Sequence, residues 1–347
     1  MDRTLFVIVG AGASHDAAGH WSNAVQPPLV SGLFSHKFDA ILSRYPMAQS
    51  AAPEIRNALR QGRDGQAISL ESHLRKMYRD SDDPYDRRRF FSITLYLQDL
   101  LWQASRREGV HFDNTDLLVG VLIRHFDHVC FLTLNYDTIL DQALGKLDQI
   151  SRMDHYAYYG RWSLIKLHGS VDWGYRPTSN VDVDEPPADL ERFLDDQIYL
   201  GVDPREDEGT RNQRPPRYAF PRSMNETKLF PALTVPVGEE DEVVCPPAHQ
   251  SFLDRRLAAQ TELDLLILGY SAYDRTVLER IKRSEKRIRS LTVVNEDREG
   301  ADKVAERLKR VIPQSLNGAE IHFAQRPFGA WCRSELDDFI AGHPALQ

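Results

Sequence analysis

Six short runs of apolar residues punctuate the chain, at 5–10, 129–135, 164–168, 263–269, 290–295 and 320–324. Most are continuous rather than alternating, the pattern of strands covered on both faces. Segments with helical periodicity follow three of them: 137–147 after the second run, 273–286 after the fourth and 300–311 after the fifth. Strands alternating with helices of this length predict parallel β-α-β units. The alternation is broken twice. Residues 31–127 read as mostly helical: within 89–108, Phe90, Ile93, Leu97, Leu100 and Leu101 form a stripe, and 115–126 is similar, with Asp113 and Asn114 as candidate caps. Residues 174–247 are rich in Pro, Asp, Glu and Arg and poor in hydrophobic periodicity. They read as an irregular insertion that serves as a lid, a substrate-reading surface or a partner contact.

The expected fold is therefore α/β, a Rossmann-like parallel sheet with helices on both faces. Its core comprises 1–30 and 128–347, carrying the irregular insertion 174–247, and 31–127 form a helical insertion subdomain. In such a sheet ligands bind outside the carboxyl ends of the strands. Four of the predicted strands end in polar or glycine-rich tips: GAGAS at 10–14, NYD at 135–137, HG at 168–169 and GYS at 269–271. These groups are expected around one crevice.

Composition narrows the partners. The net charge of −8 over 347 residues argues against broad nucleic-acid binding, and the basic run at 280–289 reads as a solvated helix face. The amino terminus enters the first strand without a basic or apolar leader, and there is no apolar stretch of about 18 residues. Cys130, Cys245 and Cys332 are odd in number and lack CxxC spacing, so neither a disulfide framework nor a cysteine zinc site is expected. A cytoplasmic protein without membrane contact is the simple expectation.

Each strand tip has two readings. Gly10, Ala11, Gly12, Ala13 and Ser14 suit a loop whose amides meet a pyrophosphate, and equally a plain strand-to-helix turn. This is not the dehydrogenase fingerprint: its third glycine would fall at His15, and no strand follows to carry the acidic residue about 20 positions on. Asn135 and Asp137 precede an apolar helix, where either one suits an N-cap; a cap accounts for one of them, not both. Facing a ligand, Asn135 holds a water or a ribose hydroxyl and Asp137 accepts from a carboxamide N–H. His168 is a structural histidine or a general base suited to neutral pH, with Asp172 either orienting it or starting the next loop. Gly269 and Ser271 suit a second phosphate or ribose contact. Asn295 and Glu296 suit the adenosine ribose, with capping as the alternative for each.

Taken in order, GAGAS, LNYD, HG, GYS and VVNE (293–296) resemble the SIR2 (sirtuin-like) superfamily, and most closely its bacterial SIR2-like NADase branch in anti-phage defence. The resemblance spans nearly the whole chain, with the two insertions divergent. It implies that Gly10, Ala11, Gly12 and Ser14 cradle the NAD phosphates. Asn135 positions the nicotinamide ribose or the attacking water, Asp137 grips the carboxamide and His168 is the base. Ser271 contacts phosphate and Asn295 the adenosine ribose. Protein-deacylating members carry two zinc-binding CxxC pairs, which three scattered cysteines cannot supply, so water is the expected acceptor and no zinc is expected. The implied activity is an NAD+ glycohydrolase that releases nicotinamide and ADP-ribose and depletes NAD in abortive infection. The resemblance also implies control by homo-oligomerisation or by a separate partner, such as a HerA-type ATPase or a short Argonaute. The rival readings are a protein deacylase or ADP-ribosyltransferase on the same NAD ring, and a non-catalytic NAD or ADP-ribose sensing module.

Overall fold

In a computed structural model, all six apolar runs are strands of one parallel sheet. The structure describes residues 3–17, 26–61, 74, 77, 83–105, 111–148, 150, 154–158, 160–175, 230–233, 245–272 and 276–346. The chain divides into two units. The first comprises Met1–Pro27, Arg106–Leu167 and Cys245–Gln347, and the second Pro28–Ser105 and His168–Val244.

The first unit holds β1 (Thr4–Val9), β2 (His128–Thr133), β3 (Trp162–Lys166), β6 (Glu262–Leu268), β7 (Arg287–Asn295) and β8 (Glu320–Gln325). Their order is β3-β2-β1-β6-β7-β8, the doubly wound arrangement whose strand order reverses between β1 and β6. Every residue of β1, β2 and β3 is buried. Because successive side chains point to opposite faces, both faces of these strands are covered. The helices Asp113–His125 and Arg298–Val311 pack against β2 and β7 respectively, and Phe328–Ser334 packs against Asp113–His125. β8 is the edge strand and is largely exposed.

The register brings Lys166, Thr133, Val9, Leu268, Val294 and Ala324 into one row across the sheet. The strands therefore leave the sheet along a common rim. The ladder continues one step into the loops, with Gly10 N–H donating to Leu268 O at 2.9 Å, Leu167 N–H to Thr133 O at 3.1 Å and Gly269 N–H to Val294 O at 3.1 Å.

The first unit also contains the three cysteines, all buried and none in a disulfide. Burial pushes the Cys130 thiol up to about 11 against opposing effects from Ser163 and Arg256. It raises Cys245 and Cys332 as well. Among the described residues no helix is long and apolar enough to cross a membrane.

The second unit contains the helices Pro46–Gln61 and Pro84–Ser105, which pack together, and an antiparallel pair, β4 (Gly169–Tyr175) with β5 (Phe230–Leu233). The stripe expected at 89–108 is in fact a helix buried all round from Phe90 to Leu101. Its buried polar side chains find partners within the unit, the Gln98 Oε1 excepted. Ser92 Oγ accepts from Ala48 N–H at 3.0 Å, Gln98 Nε2 donates to Val171 O at 2.8 Å, and Asp99 accepts from Tyr45 OH at 3.0 Å. Gly169 turns the chain into β4 at φ 83°, and a Cβ there would lie 1.9 Å from Ala232 O. Most of the insertion expected at 174–247 lies outside the described residues.

Gly10 and Gly120 offer a matched test. A Cβ on Gly10 would meet Gly269 O at 2.5 Å and Tyr270 Cα at 2.6 Å, whereas one on Gly120 meets nothing within 4 Å. Gly10→Ala is expected to cost about 1–3 kcal/mol through overpacking. Gly120→Ala, inside the helix Asp113–His125, should gain about 0.5–1 kcal/mol. Urea unfolding of the two variants measures both, and equal stabilities would show that the two loops part readily.

Candidate functional site

The rim of the sheet gathers the tips of β1, β2 and β6, all within the first unit. After β1, Gly10 leads into the short helix Ala11–His15. After β6, Gly269 adopts φ 55° and brings its backbone against that turn: Gly12 N–H donates to Gly269 O at 3.0 Å. A Cβ on Gly269 would lie 2.2 Å from Ala13 N, and one on Gly12 would lie 3.0 Å from Gly269 O. Gly10 and Gly269 are thus required by each other's backbone, and Gly12 is tightly fitted against Gly269, before any ligand is considered.

The NYD tip of β2 is tied to the GAGAS turn. Thr133 Oγ1 donates to Val9 O at 2.8 Å and accepts from Asn135 N–H at 3.0 Å, which fixes where the chain leaves the sheet. Asn135 Nδ2 then donates to Ser14 Oγ at 2.9 Å. The Ser14 hydroxyl also lies close enough to the Asp137 carboxyl to favour its ionised form. The Asn135–Ser14 bond links two motifs 121 positions apart.

Asp137 also braces the start of the next helix, whose N-cap residue is Thr138. Asp137 Oδ1 accepts from Ile139 N–H at 3.0 Å, at the start of the helix Ile139–Gly145. Asn135 caps nothing; its amide goes to Ser14. An ionised carboxylate has about four acceptor sites, and the bond from Ile139 occupies one. Burial holds the Asp137 carboxyl above its ordinary range. The Lys166 charge, the bond from Ile139 and the nearby Ser14 hydroxyl oppose that rise, and the Asp141 charge adds to it.

Three further residues in the first unit went unread in the sequence. Lys166, at the end of β3, is 1% exposed at its side chain and donates to Asp137 O and, at 2.8 Å, to Asp141 Oδ2. Tyr156 OH donates to Asp141 Oδ1 at 2.6 Å. The one signal available was a lysine inside the apolar run Leu164-Ile165-Lys166-Leu167.

The remaining candidates are spread along the rim. Ser271 is exposed, and its carbonyl accepts from Arg307 Nη1 at 2.6 Å. Asn295 ends β7, with Oδ1 accepting from Glu296 N–H at 2.8 Å and its amide lying against Gly300. Glu296 is exposed. The helix that follows is capped by Asp297, which accepts from Gly300 N–H at 2.7 Å, so neither Asn295 nor Glu296 is its cap. Likewise Asn114 is not a cap. Its side chain donates to Asp16 O at 3.1 Å and accepts from Arg333 at 2.7 Å, while Asp16 accepts from Gly329 N–H at 2.6 Å.

His168 was expected on the strand itself. It instead lies in the turn after β3, two residues beyond Lys166, and opens the second unit, where it is buried. Asp172 in that unit accepts from Ser170 Oγ at 3.0 Å. Among the described residues no cluster of three or more His, Cys, Asp or Glu is placed to hold a metal ion.

No family model matches the chain, and no curated protein does. Among solved structures, it is similar to a Sir2 homologue mutant complexed with ADP-ribose, at 13% identity and TM-score 0.46, covering 99% of this chain and 94% of that one. It is similar to a Sir2 homologue complexed with NAD, at 12% identity and TM-score 0.41, covering 99% of this chain and 91% of that one. A Sir2 complexed with an inhibitor, 2′-O-acetyl-ADP-ribose and a deacetylated peptide matches at 13% identity and TM-score 0.40, covering 97% and 94%. All three are of the family that the five motifs resemble.

The raised Asp137 carboxyl has a thermodynamic sign. Its contribution to stability is complete below the unfolded value of 3.8 and is lost as pH rises through the folded one. Asp137→Asn cannot ionise and escapes that loss. Its urea midpoint relative to wild type should therefore move in the variant's favour between about pH 4 and pH 8. A difference that stays constant over that range would mean that Asp137 titrates as an ordinary carboxylate.

Proposed function

We propose that the chain is an NAD+ glycohydrolase of SIR2-like type, cleaving NAD+ to nicotinamide and ADP-ribose. The observation that carries the reading is the hydrogen bond from Asn135 to Ser14, with the Asp137 carboxyl beside the same hydroxyl. It joins the two motifs that the resemblance assigns to opposite ends of the nicotinamide ribose, at the strand-order reversal where doubly wound sheets bind ligands. The motif order and the Sir2 complexes with NAD and ADP-ribose point to the same substrate.

The reaction breaks the bond between C1′ of the ribose and the pyridinium nitrogen. The bonding electrons leave with the nitrogen, giving neutral nicotinamide, and C1′ passes through an oxocarbenium-like state. Water adds to C1′ and gives up a proton to a base. The enzyme must hold the ribose rigidly and bind the leaving carboxamide. In this reading Asn135 positions the ribose or the water, and the free acceptor sites of Asp137 take the carboxamide N–H. His168, which follows β3 in the chain, accepts the proton. The amides of Gly10 to Ser14, together with Gly269 and Ser271, meet the phosphates. Asn295 and Glu296 meet the adenosine ribose.

Uncontrolled hydrolysis of NAD would be lethal to the producing cell. We therefore include control in the reading, by self-association or by a separate ATPase or Argonaute partner, with NAD depletion in anti-phage defence as the purpose. A purified monomer with full activity would count against it.

The test is NAD consumption by the purified chain, with nicotinamide and ADP-ribose resolved by chromatography. Asn135→Ala should lower turnover at least about 100-fold, and His168→Ala by about 10²–10⁴, in variants that still unfold cooperatively. Near-normal hydrolysis by folded His168→Ala would remove that residue as the base. Release of O-acyl-ADP-ribose from an acylated peptide would favour the deacylase, and ADP-ribose binding without turnover the sensing module.

A further inference from the structure

A lysine buried in a sheet is costly, and replacing a buried ion pair with apolar residues is often neutral or stabilising. Lys166 and Asp141 are such a pair, with side chains 1% and 3% exposed. The pair is not isolated. Two of the three Lys166 donors are spent, one on the Asp141 carboxylate and the other on the main-chain carbonyl of Asp137. Asp141 is held from its other oxygen by Tyr156. Residues 134–138 belong to no helix or strand, so no helix or sheet ladder fixes that carbonyl.

We propose that Lys166 is a positioning residue for the site: its ammonium fastens the Asp137 carbonyl to the Asp141 carboxylate and so fixes the turn that carries Asn135 and Asp137. The turn is then held twice. Its Asn135 side chain is tied to Ser14, in the helix after β1, and its main chain to Lys166 at the end of β3. Lys166 touches neither Asn135 nor the Asp137 carboxylate in any bond described, and acts on them through the backbone and through its charge. The charged groups acting on the Asp137 carboxyl are Lys166, which favours its ionised form, and Asp141 from the following helix, which opposes it. The kinetic part of the proposal rests on the NAD-cleaving reading; the positioning part does not.

Lys166→Met alone strands Asp141 as a buried charge, so the informative variant is Lys166→Met with Asp141→Leu, which removes both charges together. Lys166→Gln with Asp141→Asn keeps a polar pair without charge and serves if the apolar pair fails to fold. Two measurements are made on the full chain. In amide hydrogen exchange, the Ile139 N–H, which depends on the Asp137 side chain, should exchange at least about tenfold faster in the double variant. In NAD cleavage, kcat should fall about 10- to 100-fold with KM changed far less. The acid limb of the kcat profile should also move to higher pH, because the variant removes the Lys166 charge, whose effect on Asp137 is larger than the opposing effect of the Asp141 charge removed with it. Unchanged Ile139 protection in a folded variant overturns the positioning role. If protection falls but kcat and the acid limb keep their wild-type values, the link to catalysis is overturned. If the wild-type chain cleaves no NAD, the functional reading fails, and the exchange experiment alone still decides what Lys166 does.

Discussion

The close approach of two loops at the strand-order reversal carries the rest of the site. The turns after β1 and β6 touch backbone to backbone, with Gly12 N–H on Gly269 O and no room for a Cβ at Gly10 or Gly269. Parallel register brings both strands to the rim in the same row, and the glycines let the loops stay together beyond it. The glycines that read as a phosphate cradle thus have a prior job, to keep the two tips in contact. A turn built this way has its backbone fixed by the protein alone, an arrangement that leaves little ordering to oppose the binding of any ligand there.

The six parallel strands were legible because buried parallel strands write themselves as continuous apolar runs, and each lies within a few residues of its run, whereas the antiparallel pair β4 and β5 matched none. Other features were not. The stripe at Phe90, Ile93, Leu97, Leu100 and Leu101 pointed to a helix with one apolar face, yet Ser92, Thr94, Gln98 and Asp99 are buried too. Their partners, such as Ala48 and Val171, are remote in sequence, and local periodicity does not register them. The same holds for Asn114, which sits where a cap would and instead bonds Asp16 and Arg333. At the candidate site, the side chains with chemistry were visible as strand tips. The contact of Asn135 with Ser14 needed the register of β1 and β2, and Lys166 was hidden by its apolar neighbours.

Costly polar groups are buried at the carboxyl end of the sheet, where Ser14, Thr133, Asp137, Asp141 and Lys166 lie, and others such as His128 and Asp264 are buried toward its other end. Each removed charge has a desolvation cost that its partners only partly offset. Such concentrations of costly groups, with an ionisation pushed from its ordinary value, mark the places where a fold gives up stability for chemistry.

The three buried cysteines have a practical consequence. A thiol reacts as its thiolate, and burial that keeps Cys130, Cys245 and Cys332 protonated also keeps alkylating and oxidising reagents away from them. The folded chain therefore presents a chemically silent background. A single cysteine introduced at an exposed position such as Glu296 would take a maleimide fluorophore selectively, giving an optical probe at the rim of the sheet without first deleting the native thiols.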